Sequence, residues 1–167
     1  MPAGSLEIAN ALVQSGRHDG RAFDQLQLQN LVYIAHGWCL AITGQPLTTD
    51  LPAAFAYGPA FRRLSDALAC FGLEPVCERN GSGSQILRDK LSLDLRISSE
   101  LDPIERDILA RIYTAYADFT ATDLFAVTRR GDSPWRQIFD DGRGEFRDIP
   151  HALVKAQFVR LASQNAR

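Results

Sequence analysis

Across residues 26–42 the chain carries apolar side chains at two helical spacings at once. Leu28, Leu31, Val32, Ala35, Cys39 and Ile42 repeat at the three- and four-residue intervals of one helix face. Leu26, Tyr33 and Leu40 add a second stripe at sevenfold spacing. A helix that is apolar on more than one side belongs inside a bundle. Asp24 can cap it, and Thr43-Gly44 supplies a stop. Gly37 lies mid-helix, where it costs about 1 kcal/mol relative to Ala. The expected return is close approach by a neighbouring helix.

The flanking patterns predict further helices and little sheet. Leu6, Ala9, Leu12 and Val13 share a face of a helix over about residues 6–15, with Ser5 as its cap and Gly16 as its end. Residues 51–57 are short, partly apolar and bounded by Pro52 and Gly58, which predicts an extended segment or brief strand. Pro59 suits the first position of a third helix whose inner face carries Phe61, Leu64, Leu68 and Phe71, closed by Gly72. Residues 74–78 and 85–87 read as two short strands around the flexible loop from Asn80 to Ser84. Asp102-Pro103-Ile104-Glu105 is a strong helix start, followed by an inner stripe of Ile104, Ile108, Ile112, Ala115 and Phe119. Thr120 or Thr122 opens a short helix through Val127, and Ser133-Pro134-Trp135 opens another. Ile149-Pro150 precedes a last helix carrying Leu153, Phe158 and Leu161. The expected architecture is mainly α: one domain over residues 1–167, a compact bundle around the 25–42 helix, with a small irregular β element between about 51 and 97.

Polar residues on the central helix offer candidate chemistry. Gln25, Gln29 and His36 fall on one side of it at offsets of four and seven residues. A polar stripe inside a bundle must be hydrogen-bonded, so it is either an internal network or a seam that organises a partner site. The internal network is the reading taken for His36, a lone histidine without ligand spacing. His36 and Cys39 with Cys70 and Cys77 lack the two tight ligand pairs of a zinc site, so no metal ligand is expected. There is no nucleophile elbow, no phosphate-binding glycine loop and no His-Glu pair at metal spacing, so no catalytic residue and no cofactor is expected either. Trp38 reads as core. Trp135 reads as packing under its helix start.

Composition narrows the picture in three ways. The length of 167 residues suits one domain with a real core. A net charge of −2 lacks the basic excess of a protein that lives on phosphate backbones, so nucleic-acid binding is not expected. Three cysteines give an odd count without paired spacing, which fits a reducing cytoplasm better than a disulfide framework. No signal segment or bilayer-length apolar run is read, and no membrane partner is expected.

One resemblance goes further than these patterns. Leu28-Gln29, Tyr33-Ile34-Ala35-His36-Gly37-Trp38, Gly44-Gln45-Pro46-Leu47 and Tyr57-Gly58-Pro59 form one block. Ser133-Pro134-Trp135, after Thr128-Arg129-Arg130-Gly131-Asp132, forms a second. Together, in this order and at this separation, they resemble the Panacea domain, a family of small bacterial and phage proteins that act as antitoxins. The similarity runs over about residues 6–139. The chain departs from the family pattern at Ala60-Phe61-Arg62, where the family often has a hydrophobic residue and a proline. It departs again at Thr128-Arg129, where the family often has Thr-His.

The resemblance implies a non-catalytic protein that binds a cognate toxin, usually encoded by a neighbouring gene. In at least one branch of the family it also hands that toxin to a protease as an adaptor. Partner contact is expected at Tyr57, Gly58, Pro59, Arg62, Arg129, Arg130 and Trp135, provided the two blocks meet across the bundle. Gln29, Tyr33, His36, Gly37 and Trp38 are the structural motif. The alternatives are a DNA-binding or phage-associated regulatory protein and, behind it, a metal-dependent enzyme.

Overall fold

The computed structural model describes residues 3–72, 74–76 and 101–166. Among these residues, seven α-helices surround or form the core: α1 (Ser5–His18), α2 (Gln25–Thr43), α3 (Arg62–Leu68), α4 (Pro103–Tyr116), α5 (Ala121–Thr128), α6 (Pro134–Phe139) and α7 (His151–Asn165). A two-stranded hairpin, β1 (Ala53–Phe55) and β2 (Gly58–Ala60), sits between α2 and α3. The fold is mainly α, and this hairpin falls inside the 51–97 interval expected to hold the sheet.

The central helix is central. Every residue of α2 from Leu28 to Gly37 is buried, and α1, α3, α4, α5, α7 and β2 all pack on it. Local sequence explains its ends. Asp24 accepts from the Gln27 amide while the Gln27 side chain accepts from the Asp24 amide, a complete capping box. Gly44 closes the other end in the left-handed conformation. Matching boxes start α4 (Asp102 with Glu105) and α5 (Thr120 with Asp123).

Gly37 explains how the last helix docks. A Cβ built at this glycine would lie 2.1 Å from a ring carbon of Phe158 on α7, far inside van der Waals contact. Removing that one carbon lets the Phe158 ring lie against the α2 backbone with no exposed surface. Burying such a ring is worth about 1.5–3 kcal/mol, more than the propensity cost of about 1 kcal/mol that the glycine imposes. Tyr33 and Trp38 meet the same ring edge-on, at 6.0 and 5.5 Å between centroids.

Several expectations are corrected. Ser5 is not the cap of α1 but its first residue. Its amide and hydroxyl donate to the Asp50 carboxylate, and Gly4 holds the cap position without a side-chain bond. The helix also runs on through buried Gly16 to His18. Pro59 does not begin α3. It pairs with Ala54 in the hairpin, whose register is Ala53 to Ala60 and Phe55 to Gly58, and α3 starts three residues later. The Gln29 side chain holds the Phe61 amide and carbonyl at 2.9 and 3.2 Å, which keeps that residue extended before α3 begins.

Ile42 is 62% exposed, because the last turn of α2 has emerged from beneath its neighbours. Ile104 and Ala115 also face outward, and the buried side of α4 is Ile108, Leu109 and Ile112, with Leu101 just before it. Of the strands expected near residues 74–87, only Val76 is described as pairing: its amide donates to the Phe23 carbonyl in an isolated bridge. Cys77, the loop from Asn80 to Ser84 and residues 85–87 lie outside the described residues. No helix among the described residues is long and apolar enough to cross a membrane.

Candidate partner-binding site

The polar residues of α2 divide the question of function into an inside and an outside. Inside, they reach several different elements. Gln29 clamps Phe61, as above, and Asn30 accepts from the Thr128 hydroxyl at 2.8 Å, tying α2 to the end of α5. The Tyr33 hydroxyl donates to Gln157 Oε1 on α7 at 3.0 Å. His36 lies with Nδ1 3.1 Å from the Thr48 hydroxyl and Nε2 3.1 Å from His151 Nδ1. Burial, reinforced by the charge His151 would carry, lowers the His36 pKa to about 3. Burial raises the Tyr33 and Cys39 values and lowers that of His151.

Gln29, Asn30, Tyr33 and His36 each have a hydrogen-bond partner outside α2. Cys39 Sγ faces Thr43 on its own helix, and Cys70 is exposed elsewhere. Among the described residues no cluster of three or more His, Cys, Asp or Glu side chains could hold a metal ion.

Outside, the two sequence blocks meet. Gly58 adopts φ +134°, a backbone conformation that L side chains rarely adopt, and this lets the hairpin present a bare backbone surface. Trp135, on the first turn of α6, donates its indole N–H to the Phe55 carbonyl at 2.7 Å and stacks on Phe139 at 4.9 Å with the rings 14° apart. Arg129 caps the end of α5. Its side-chain stem lies over Gly58, where a Cβ would stand 3.5 Å from Arg129 Cδ. Its guanidinium carbon is 4.8 Å from the Trp135 ring centre and 5.4 Å from that of Phe125.

The expected contact residues therefore separate. Tyr57, Gly58, Pro59, Arg129 and Trp135 belong to one assembly. Gly58, Pro59 and Trp135 are its buried floor, while Tyr57 is partly exposed and Arg129 half-buried. Arg62 stands beside it but is engaged: it pairs with Asp148 at 2.6 Å and donates to the Phe146 carbonyl. Arg130 points elsewhere, into a groove of about 410 Å³ lined by Trp38, Tyr116, Phe119, Val127 and Leu161. Trp38 is thus only half-buried, a wall of that groove and not part of the closed core expected of it.

Sequence reasoning missed the third side of the face. Residues 146–149 add to the hairpin edge: the Phe146 amide donates to the Ala54 carbonyl, the Ala54 amide to Arg147, and the Ile149 amide to Pro52. Phe146 takes a positive φ of 64° and is 54% exposed, with its ring edge-on to Phe55 at 5.3 Å. Phe55 in turn meets Tyr57 at 5.4 Å. Nothing local marks Phe146 for this; only pairing with a strand ninety residues earlier sets it there.

Comparison with known proteins matches the stretch that holds both sequence blocks. A family model described as the SocA-like antitoxin, Panacea domain, matches residues 28–136, a span that begins at the first block and ends just after the second. Antitoxin SocA of Caulobacter vibrioides (strain NA1000 / CB15N) is 26% identical over 132 residues, covering 78% of this chain and 68% of that relative. No solved structure matches.

Proposed function

The chain belongs to the SocA-like, Panacea-domain antitoxin family, and from that premise we propose that it neutralises a cognate protein toxin, the product of a neighbouring gene, by direct contact. The contact surface is the face formed by Tyr57, Arg129 and the exposed ring of Phe146 over the buried floor of Gly58, Pro59 and Trp135, with Arg62 at its edge. One observation carries this reading: residues about seventy positions apart in sequence converge on an aromatic surface crossed by a half-buried arginine. Aromatic side chains and arginine are the groups most enriched in the energetic centres of protein interfaces. The buried polar groups of α2, by contrast, are engaged inside the fold.

Handing the toxin to a protease would be a later consequence of the same contact, and blocking and delivery differ in what happens to the toxin. In the blocked case its half-life in growing cells is unchanged by this protein; in the delivery case it shortens.

The test is co-expression with the neighbouring reading frame. Growth rescue together with co-purification supports the antitoxin reading, and a wild-type chain that neither rescues growth nor co-purifies ends it. Arg62→Glu and Arg129→Glu, each first shown to melt like wild type, then locate the surface, with Arg130→Glu as the test of the groove. Rescue lost in the first two and kept in the third matches the proposed face. Loss only with Arg130→Glu moves the contact to the groove beside Trp38.

A further inference from the structure

Resting on the antitoxin reading, we infer that Arg129 is the specificity-determining contact of this face and receives a carboxylate of the toxin, an Asp or Glu side chain flanked by apolar residues. The Arg129 side chain packs against three residues. Its stem lies on Gly58, and its guanidinium carbon sits over the rings of Trp135 and Phe125. Trp135 is itself fixed by the bond from its indole to the Phe55 carbonyl and by the stack on Phe139.

Yet among the described residues the Arg129 guanidinium has no hydrogen bond or ion pair. Its nitrogens are not buried either, since Glu7 Oε2 is the one buried side-chain polar atom without a partner among the described residues. Its donors are therefore open to solvent, on a side chain that already packs against Gly58, Trp135 and Phe125. The usual entropy cost of ordering a long arginine on binding is largely removed, and the planar fork matches a carboxylate with two parallel bonds.

The neighbouring acids do not compete for it. Asp132 is held by Arg160, Asp140 by Arg143 and Asp148 by Arg62. Asp141 and Glu145, in the segment after α6, form no ion pair among the described residues. A polyphosphate chain needs several cations in a row, which a chain of net charge −2 with Arg62, Arg143 and Arg160 already paired does not offer. A single carboxylate set among apolar groups needs one open arginine and rings such as Tyr57 and Phe146, which pack on Phe55. The chemistry of the face thus favours an acidic protein segment over nucleic acid.

The experiment needs no toxin, so its failure is separate from a failure of growth rescue. The full chain, labelled with nitrogen-15, is observed at its arginine Nε–H signals, with the Arg129 signal identified by its loss in Arg129→Lys. Three probes are titrated: the capped tripeptide acetyl-Leu-Asp-Leu-amide, its Asn counterpart, and a short DNA duplex. The expected result is a saturable shift at Arg129 with the Asp peptide and binding at least about tenfold weaker with the Asn peptide, the difference one charge-assisted contact makes. Arg129→Lys keeps the charge but loses the fork, and should bind the Asp peptide about tenfold more weakly, read at the indole N–H signal of the adjacent Trp135, while melting like wild type. Equal responses to the Asp and Asn peptides, equal responses at Arg129 and the fully exposed arginines, or a response to the duplex alone would each overturn the inference.

Discussion

The inner side of α2 and the outer face around Arg129 are built from similar materials, polar side chains set among aromatic rings. On the inner side every polar group has a partner from another element: Gln29 with Phe61, Asn30 with Thr128, Tyr33 with Gln157, His36 with Thr48 and His151. On the outer face Arg129 has aromatic support and no polar partner. Burial makes an unpaired polar group costly, so a buried network that is complete is an architectural device. A preordered donor left open at the surface costs little in the free protein and is available for binding.

The largest effect should come from the apolar contact that sets the inner side. Phe158→Ala should destabilise by about 3–5 kcal/mol, and Gly37→Ala by about 1–3 kcal/mol through overpacking against the same ring. Once the ring is gone the new methyl has room, so the double variant should be clearly more stable than the sum of the two single effects implies. Urea melts of the four proteins read this coupling; strict additivity would mean that Gly37 and Phe158 do not meet.

Next in size is the network itself. Tyr33→Phe keeps the ring and leaves Gln157 Oε1 without its donor in a buried site, which should cost about 1–3 kcal/mol. An unchanged urea midpoint would show that water already serves this group and that the inner seam is not closed.

A third probe uses pH. Folding keeps His36 neutral down to about pH 3, while in the unfolded chain it takes up a proton near its ordinary 6.5. The unfolded state therefore binds more protons between these values. The histidine-dependent stability is complete above about pH 6.5 and is lost as pH falls toward 3, with a slope of up to about 1.4 kcal/mol per pH unit. His151, also shifted downward by burial, acts in the same direction. Between pH 6.5 and 5, before most carboxylates titrate, wild type should lose stability faster than His36→Gln. Parallel pH profiles for the two proteins would contradict the buried neutral histidine.

The smallest expected effect sharpens the contrast most. Arg129→Gln should change stability by no more than about 1 kcal/mol, the scale of a partly exposed cation–π contact. Toxin neutralisation should nevertheless be lost. If this variant instead melts as low as Tyr33→Phe, Arg129 is an architectural residue and the two regions are not different in kind.

Local signals were readable from the chain. Asp24 as a cap, Asp102 with Glu105, and a start at Thr120 or Thr122 depend on residues a few positions apart, and Asp24, Asp102 and Thr120 each form a capping box. The apolar breadth of residues 26–42 placed α2 in the middle of the bundle, and Gly37 in its interior pointed to a close helix contact. The errors share a cause. Ser5, Pro59, Ile42, Ile104 and Trp38 each follow a sound local preference, and each is redirected by what lies beside it in space. Asp50 takes the Ser5 donors, and Ala54 pairs with Pro59. No neighbour covers Ile42 or Ile104, and an open groove lies beside Trp38.

For this protein the sequence by itself determined the helical class, the central helix, most helix starts and, through two short blocks, the family. These follow from interactions within one or two turns and from apolar periodicity, both of which are carried by neighbouring residues. Only the tertiary structure decided that Tyr57-Gly58-Pro59 is a hairpin edge and not a helix start, and that Phe146 completes its face. It also separated Arg129, stacked and open, from Arg62, already paired, and Arg130, which faces a different groove. The same residue type at three positions has three roles, because a guanidinium takes its role from the rings and carboxylates within a few ångströms of it, and those are brought there by segments up to about ninety residues away in the chain.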